Sequence, residues 1–259
     1  MIGTKSDLCR ATNSSQSKET TLTTDQFTAF VTGTNRGLGK RFATQLVERG
    51  AKVYAAARRP ETIDVPGVIP VQLDITDPES VARAAGLAGD VNMLINNAGV
   101  STSASLLTGP IDDVRLEMET HYFGTLSVTR AFVPIIEANG RGSILNVLSV
   151  LSWAHAPAFG AYSAAKAAGW ALTDAIRQEL APRGIHVAAL HVGFMDTDMA
   201  GFVPADRKID PSVVAKLHWT ACSPVSPRSS PTTCRGQSRL SCPPLLNDLR
   251  PLSSLATRT

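Results

Sequence analysis

The chain is expected to form an α/β domain built on a doubly wound parallel β-sheet, with helices on both faces in three layers. Three observations carry that expectation. From Phe27 onward, short apolar and β-branched runs alternate with longer stretches of helical periodicity. The first of these runs leads into a glycine-rich turn, Val31 to Gly39, with a helical pattern behind it. A second strand-like run, Lys52 to Ala57, follows at the distance a βαβ unit needs. The expected strand order is 3-2-1-4-5-6.

Taken in order, residues Met1 to Gln26 are rich in Ser, Thr, Lys and Asp and lack apolar periodicity, so they read as a disordered extension. Phe27 to Thr32 is the first strand, and Gly33, Gly37 and Gly39 separate it from the helical pattern Phe42, Leu46, Val47. Glycines there let the backbone approach a pyrophosphate, and the following helix offers unpaired N–H groups and a positive dipole end. The second strand ends in Ala57, Arg58 and Arg59, with no carboxylate to repel a 2′-phosphate. Arg58 and Arg59 fit such a phosphate, and equally fit an ordinary solvated turn before Pro60.

Val68 to Leu73 makes a third strand ending at Asp74, and Thr76 to Glu79 announces a helix with Pro78 near its first position and a Thr76/Glu79 capping box. Val91 to Ile95 is the fourth strand and runs into Asn96, Asn97, Ala98 and Gly99. From Asp112 to Asn139, Val114, Met118, Thr125, Val128, Phe132 and Ile135 repeat with helical spacing, and His121 falls on the same stripe. Gly142 to Leu148 is the fifth strand, with Ser149 at its end. The segment W-A-H-A-P-A-F-G that follows has aromatic and small residues suited to a pocket wall, His155 among them.

Ala161 to Lys166, A-Y-S-A-A-K, then places Tyr162 and Lys166 on one helix face. A tyrosine of pKa ~10 is only about 0.1% phenolate at neutral pH, and a fixed cation beside it favours the charged form. Such a phenol can exchange a proton with an alcohol or carbonyl oxygen. The helix continues through Trp170, Leu172, Ile176 and Leu180, and Ile185 to Leu190 is the sixth strand.

The stretches V-T-G-T-N-R-G-L-G and N-N-A-G, followed by Ser149, Tyr162 and Lys166, resemble in order and spacing the short-chain dehydrogenase/reductase family, over about Phe27 to Leu217. The resemblance implies a Rossmann-type fold and NAD(P)-dependent hydride transfer between a small alcohol and a carbonyl compound. Ser149 would orient the carbonyl, Tyr162 would exchange its proton, and Lys166 would lower the tyrosine pKa and hold the nicotinamide ribose. Cofactor contacts would come from Gly33, Asn35, Arg36, Gly37, Leu38 and Gly39 in the glycine turn. Arg58, Asp74 and Ile75 would add to them after the second and third strands. Asn97, Ala98, Gly99, Gly193 and Thr197 would follow, alongside Tyr162 and Lys166. Arg36 lies near the adenosine ribose in NADP-preferring members, so NADP(H) is favoured over NAD(H). The smooth, alanine-rich helix after Lys166 implies a homo-oligomer, provided the C-terminus is intact.

Two positions depart from the family. His121 stands where relatives carry an asparagine that helps hold a water beside the lysine, so it reads either as a substitute proton relay or as a passively packed histidine. Val192 stands where a proline usually precedes Gly193, ahead of a mobile substrate loop reaching about Arg207. These departures motivate an alternative of another class, an NADP-binding protein with impaired or absent catalysis.

Composition narrows the partners. The net charge of +3 includes no dense Lys/Arg cluster, which argues against nucleic acid. No apolar run reaches membrane-spanning length and no charged-then-apolar leader opens the chain, so the expected compartment is the cytoplasm. Cys9, Cys222, Cys234 and Cys242 lie outside the motif region, and with His218 their spacing fits no usual zinc pattern, so no metal site is expected.

Asp210 and Pro211 announce a helix that V-V-A-K-L continues, yet from His218 onward Ser, Pro, Arg, Thr and Cys dominate. Prolines at 224, 227, 231, 243, 244 and 251 break any helix or central strand. The family has a long helix and a seventh strand here, so residues 218 to 259 read as an atypical tail and the seventh strand is expected to be missing. Either a reading-frame shift near Leu217 or a natural disordered tail accounts for it. Back-translation with GC-rich codons gives a neighbouring frame that begins Ala-Leu-Asp-Gly-Leu-Leu-Ala-Gly-Glu, which is acidic and helix-forming, as the family requires.

Overall fold

The computed structural model describes residues 27–140 and 142–222. Its frame is a six-stranded parallel sheet in the order 3-2-1-4-5-6. The opening βαβ unit is β1 (Thr28–Thr32), α1 (Gly37–Glu48) and β2 (Lys52–Ala57). Then come β3 (Ile69–Gln72), α2 (Pro78–Leu87) and β4 (Met93–Asn96). A long helical stretch follows as α3 (Ile111–Met118) and α4 (Thr125–Ala138), and leads to β5 (Gly142–Ser149). The chain continues as α5 (Gly160–Leu180), β6 (Ile185–Val192) and α6 (Pro211–Cys222).

Parallel strands covered on both faces need apolar side chains on both sides, and the two core clusters supply them. Phe30, Leu94 and Ile144 face α2, α4 and α5 on one side. Val31, Val53 and Ile95 face α1 and α6 on the other. The switch point between β1 and β4 therefore opens at the carboxyl ends of the strands, where the sheet order reverses.

Several expectations change in detail. The expected single helix from Asp112 to Asn139 is interrupted by a π-helical turn, Glu119–Gly124. Glu117 just ahead of that turn and Thr120, His121 and Gly124 within it are all buried. The Thr76/Glu79 capping box is not formed. Asp77 caps α2 instead, its Oδ1 accepting from the Glu79 N–H at 3.0 Å, because Thr76 Oγ1 donates to Asp74 Oδ1 at 2.7 Å. β6 runs on through Val192, which pairs with Ser149. The expected tail over 218–259 is corrected at its start, because α6 continues through Cys222; the rest of it and the extension over 1–26 lie outside the described residues. No helix among the described residues is long and apolar enough to cross a membrane.

Candidate active site

The two glycine-bearing motifs are tied to each other by hydrogen bonds. Thr32 Oγ1 accepts from the N–H groups of Asn97 and Ala98, both at 2.9 Å. Asn97 Nδ2 donates to Thr32 O at 2.9 Å and Gly33 O at 3.1 Å. The approach is so close that a Cβ on Gly39 would stand 2.1 Å from Gly33 O, and one on Gly33, whose φ is +71, would stand 2.8 Å from Ala98 Cα. Gly39 thus serves packing beneath the turn, whereas Gly33 and Gly37 line the cleft above it. A buried amide relay carries the order outward. Asn96 Nδ2 donates to Asn146 Oδ1 at 2.8 Å, and Asn146 Nδ2 donates to Thr173 Oγ1 at 2.9 Å, which braces β4 and β5 against α5.

α5 presents Tyr162 and Lys166 to the end of β5. The Ser149 hydroxyl reaches toward the Tyr162 phenol and also accepts from the Leu151 N–H at 3.1 Å. Lys166, 6% exposed, donates from Nζ to Val147 O at 2.9 Å and lies 5.6 Å from the Tyr162 ring centre. The electrostatics correct the expectation that this lysine lowers the tyrosine pKa. Burial pushes the Tyr162 phenol well above its ordinary range, Ser149 acts in the opposite sense, and Glu117 adds to the rise. Burial also brings Lys166 down to about 8, with Glu117 opposing. The phenol is therefore held neutral, as a proton donor.

His121 is 4% exposed and sits edge-on to the Tyr162 ring at 5.2 Å between centres. It fits only because Gly99 has no side chain, a Cβ there standing 2.7 Å from His121 Cε1. Its Nε2 lies 2.8 Å from Val100 O and 3.2 Å from Glu117 Oε2. Burial, then the nearby Lys166 charge, lowers its pKa despite the Glu117 contact, so the imidazole is neutral. Glu117 itself, fully buried, was not legible as a site residue: a carboxylate on an amphipathic helix reads as part of the solvated face. The signal that could have found it is its spacing four residues before His121.

A cleft of about 370 Å³ runs from the glycine turn to Tyr162 and Lys166. Asn35, Arg36 and Leu38 border it at the turn, Arg58, Asp74 and Ile75 at the next two strand ends, and Asn97, Ala98, Gly99 and His121 at the switch point. Thr197 closes over it, its Cγ2 within 3.3 Å of a Cβ built on Gly37. Arg36 is turned toward Asp198, 3.2 Å away, while Arg58 and Arg59 are exposed and have no ion-pair partner among the described residues. The N-terminus of α1 has neither a side-chain cap nor an acidic residue in its first turn. Glycines that leave no room for side chains, uncapped helix N–H groups and unpaired guanidinium groups together fit a phosphate-bearing dinucleotide.

Ser149 and Gly193 border not this cleft but a second, adjoining cavity of about 90 Å³. Tyr162 and Thr197 belong to both. Phe159, Phe194, Met199 and Phe202 form the second cavity's apolar walls. His155 is exposed and borders neither space. No group of metal-ligating side chains occurs among the described residues.

Comparison with known proteins agrees with this architecture. The family model for short chain dehydrogenases matches residues 27–208. An oxidoreductase of Botryotinia fuckeliana is 33% identical over 183 residues, covering 66% of this chain and 67% of its own. An uncharacterized oxidoreductase of Staphylococcus aureus is 31% identical over 211 residues, covering 76% and 90%. Among solved structures, a short chain dehydrogenase from Burkholderia cenocepacia in complex with NADP superimposes with a TM-score of 0.72 at 41% identity, covering 77% of this chain and 85% of that one. A 3-ketoacyl-(acyl-carrier-protein) reductase from Brucella melitensis complexed with NADH gives 0.72 at 26% identity, covering 78% and 92%. With the sheet order, the stitched glycine motifs and these matches in agreement, the chain belongs to the short-chain dehydrogenase/reductase family of NAD(P)-dependent oxidoreductases.

Proposed function

We propose that the chain uses NADP(H) to interconvert a small, uncharged alcohol and the corresponding carbonyl compound, with Ser149, Tyr162 and Lys166 as its catalytic residues. The observation that carries this reading is the position of Tyr162, whose side chain is shared between the dinucleotide cleft and the apolar cavity that Ser149 borders. A substrate in that cavity would place its oxygen between the serine and tyrosine hydroxyls. Ser149 would donate a hydrogen bond to the oxygen, and Tyr162, kept neutral by burial, would give it a proton. Lys166 would hold the nicotinamide ribose and return a proton to Tyr162, a task suited to an ammonium whose pKa is brought down to about 8. When bound, the nicotinamide supplies the hydride. His121, beside Tyr162 where relatives carry asparagine, would pass protons between solvent and this pair.

The preference for NADP(H) rests on this chain's own cations, because its solved relatives include one with NADP and one with NADH. Arg58 and Arg59 at the end of β2 have no ion-pair partner among the described residues, and Arg36 needs only to release exposed Asp198. Uncharged substrates are favoured because no charged side chain among the described residues borders the second cavity. We place this activity in the cytoplasm. We also assign self-association to the outer face of α5, where Ala164, Ala171 and Ala175 are exposed while Leu172, Ile176 and Leu180 pack inward.

Titration with NADPH and NADH, followed by NADPH oxidation over a panel of aldehydes, ketones and quinones, tests the reading. Tighter binding of NADPH and turnover of apolar carbonyls are expected. Binding without turnover anywhere in the panel would support the non-catalytic alternative that the departures at His121 and Val192 motivate.

A further inference from the structure

Glu117 is fully buried beside the catalytic group, and the steps above leave it without a part. Its Oε1 accepts from the Thr102 N–H at 2.6 Å and from Thr102 Oγ1 at 3.0 Å. Its Oε2 is buried without a hydrogen bond of good geometry among the described residues, and His121 Nε2 stands 3.2 Å from it. Val100 O, which can only accept, lies 2.8 Å from the same nitrogen. Nε2 therefore faces two acceptors and must carry the proton. In the neutral ring this makes Nδ1 the lone-pair nitrogen, and no described residue hydrogen-bonds to Nδ1, while the ring itself borders the cleft.

We propose that Glu117 is a positioning residue that fixes His121 as the Nε2–H tautomer and presents its Nδ1 to the cleft, so that His121 can relay protons to the Tyr162–Lys166 pair. The inference rests on the oxidoreductase reading. In the reduction, the Tyr162 O–H bond breaks as the substrate O–H bond forms. The phenolate takes a proton from the Lys166 ammonium, and the neutral amine takes one from His121 Nδ1–H through water in the cleft. Nδ1 had gained that proton from solvent, so one solvent proton is consumed and no further redox change occurs. While the imidazole is charged, the Glu117 oxygen that lacks a hydrogen bond becomes its counter-ion. The ionisable groups facing His121 are Glu117 from α3 and Tyr162 and Lys166 from α5.

A rival role exists for Glu117: it ties down the loop at Thr102, next to Ser103, whose φ is +56. Two measurements on the full chain separate the roles. The first is nitrogen NMR of the 15N-histidine-labelled protein near neutral pH, with His121→Asn identifying the signals. A protonated Nε2 and an unprotonated Nδ1 are expected, and the reverse tautomer would overturn the proposal whether or not the protein turns over any substrate. The second measurement is a double-mutant cycle. In Glu117→Gln the amide carbonyl is drawn to the Thr102 donors, which turns the NH₂ group toward Nε2 and disfavours the required tautomer. kcat is expected to fall ~10–100-fold with KM for NADPH little changed, and the same substitution in the His121→Asn background to change kcat less than about twofold. Equal losses in both backgrounds would make Glu117 a loop anchor only. Absence of all carbonyl turnover in the parent would instead reject the oxidoreductase reading, leaving the tautomer measurement to judge Glu117.

Discussion

Replacing Lys166 by methionine should stabilise the protein while disabling it. The ammonium is 6% exposed, and burial lowers its pKa from 10.5 to about 8. At about 1.4 kcal/mol per pH unit, that fall amounts to roughly 3 kcal/mol against the folded state whenever the group is charged. An unfolded lysine binds its proton up to 10.5 and the folded one only to about 8, so the unfavourable contribution is full below pH 8 and disappears as pH rises to 10.5. The attraction of Glu117 is already within that net figure, and against it stands the hydrogen bond to Val147 O at 2.9 Å, which a methionine forfeits. Losing that bond costs ~1–2 kcal/mol, leaving a net gain of about 1–2 kcal/mol near pH 7. Urea unfolding of parent and Lys166→Met near pH 7 and again near pH 10 reads the difference, and NADPH turnover should drop at least ~100-fold. A variant less stable than the parent near pH 7, or a difference independent of pH, would refute this account of the buried ammonium.

Arg58→Glu should weaken NADPH binding ~10–100-fold and leave NADH within about threefold in a fluorescence titration; an unchanged ratio would detach Arg58 from the 2′-phosphate. Gly39→Ala should unfold the glycine turn or lower stability by ~1–3 kcal/mol in a thermal melt, since its Cβ would meet Gly33 O at 2.1 Å; a neutral result would show that the turn can relax. For the tail we propose the frame shift near Leu217. Nucleotide sequencing should find a family-like continuation in a neighbouring frame, and restoring it should raise both melting temperature and reductase activity; an early stop in that frame would end the idea.

Much of this architecture was legible because its signals are local and repeated. Apolar runs such as Val53 to Ala57 are covered on both faces, so burial and sequence pattern agree and the strand order follows. The glycine turn and N-N-A-G were legible for a related reason, since close backbone approach excludes other side chains at Gly33 and Gly39. What sequence could not give was the depth at which a polar side chain on a helix is buried. Glu117 and His121 share a helix face at a spacing of four, but that spacing does not say that the face is covered, and a uniform helical stripe also hides the π turn at Glu119–Gly124. The sign of the Tyr162 shift was missed because spacing reveals the neighbouring cation and not the depth at which both groups are buried.

The central claim is that Tyr162 gives its proton to a substrate oxygen held between the cofactor cleft and the apolar cavity. Its most direct test is NADPH oxidation by the parent and by Tyr162→Phe on the same apolar carbonyl, with cofactor affinity measured for both. The phenylalanine keeps the ring that packs against His121 and removes only the hydroxyl. The account predicts equal NADPH binding and a kcat lower by ~10²–10⁴-fold; turnover by Tyr162→Phe as fast as the parent's would contradict it.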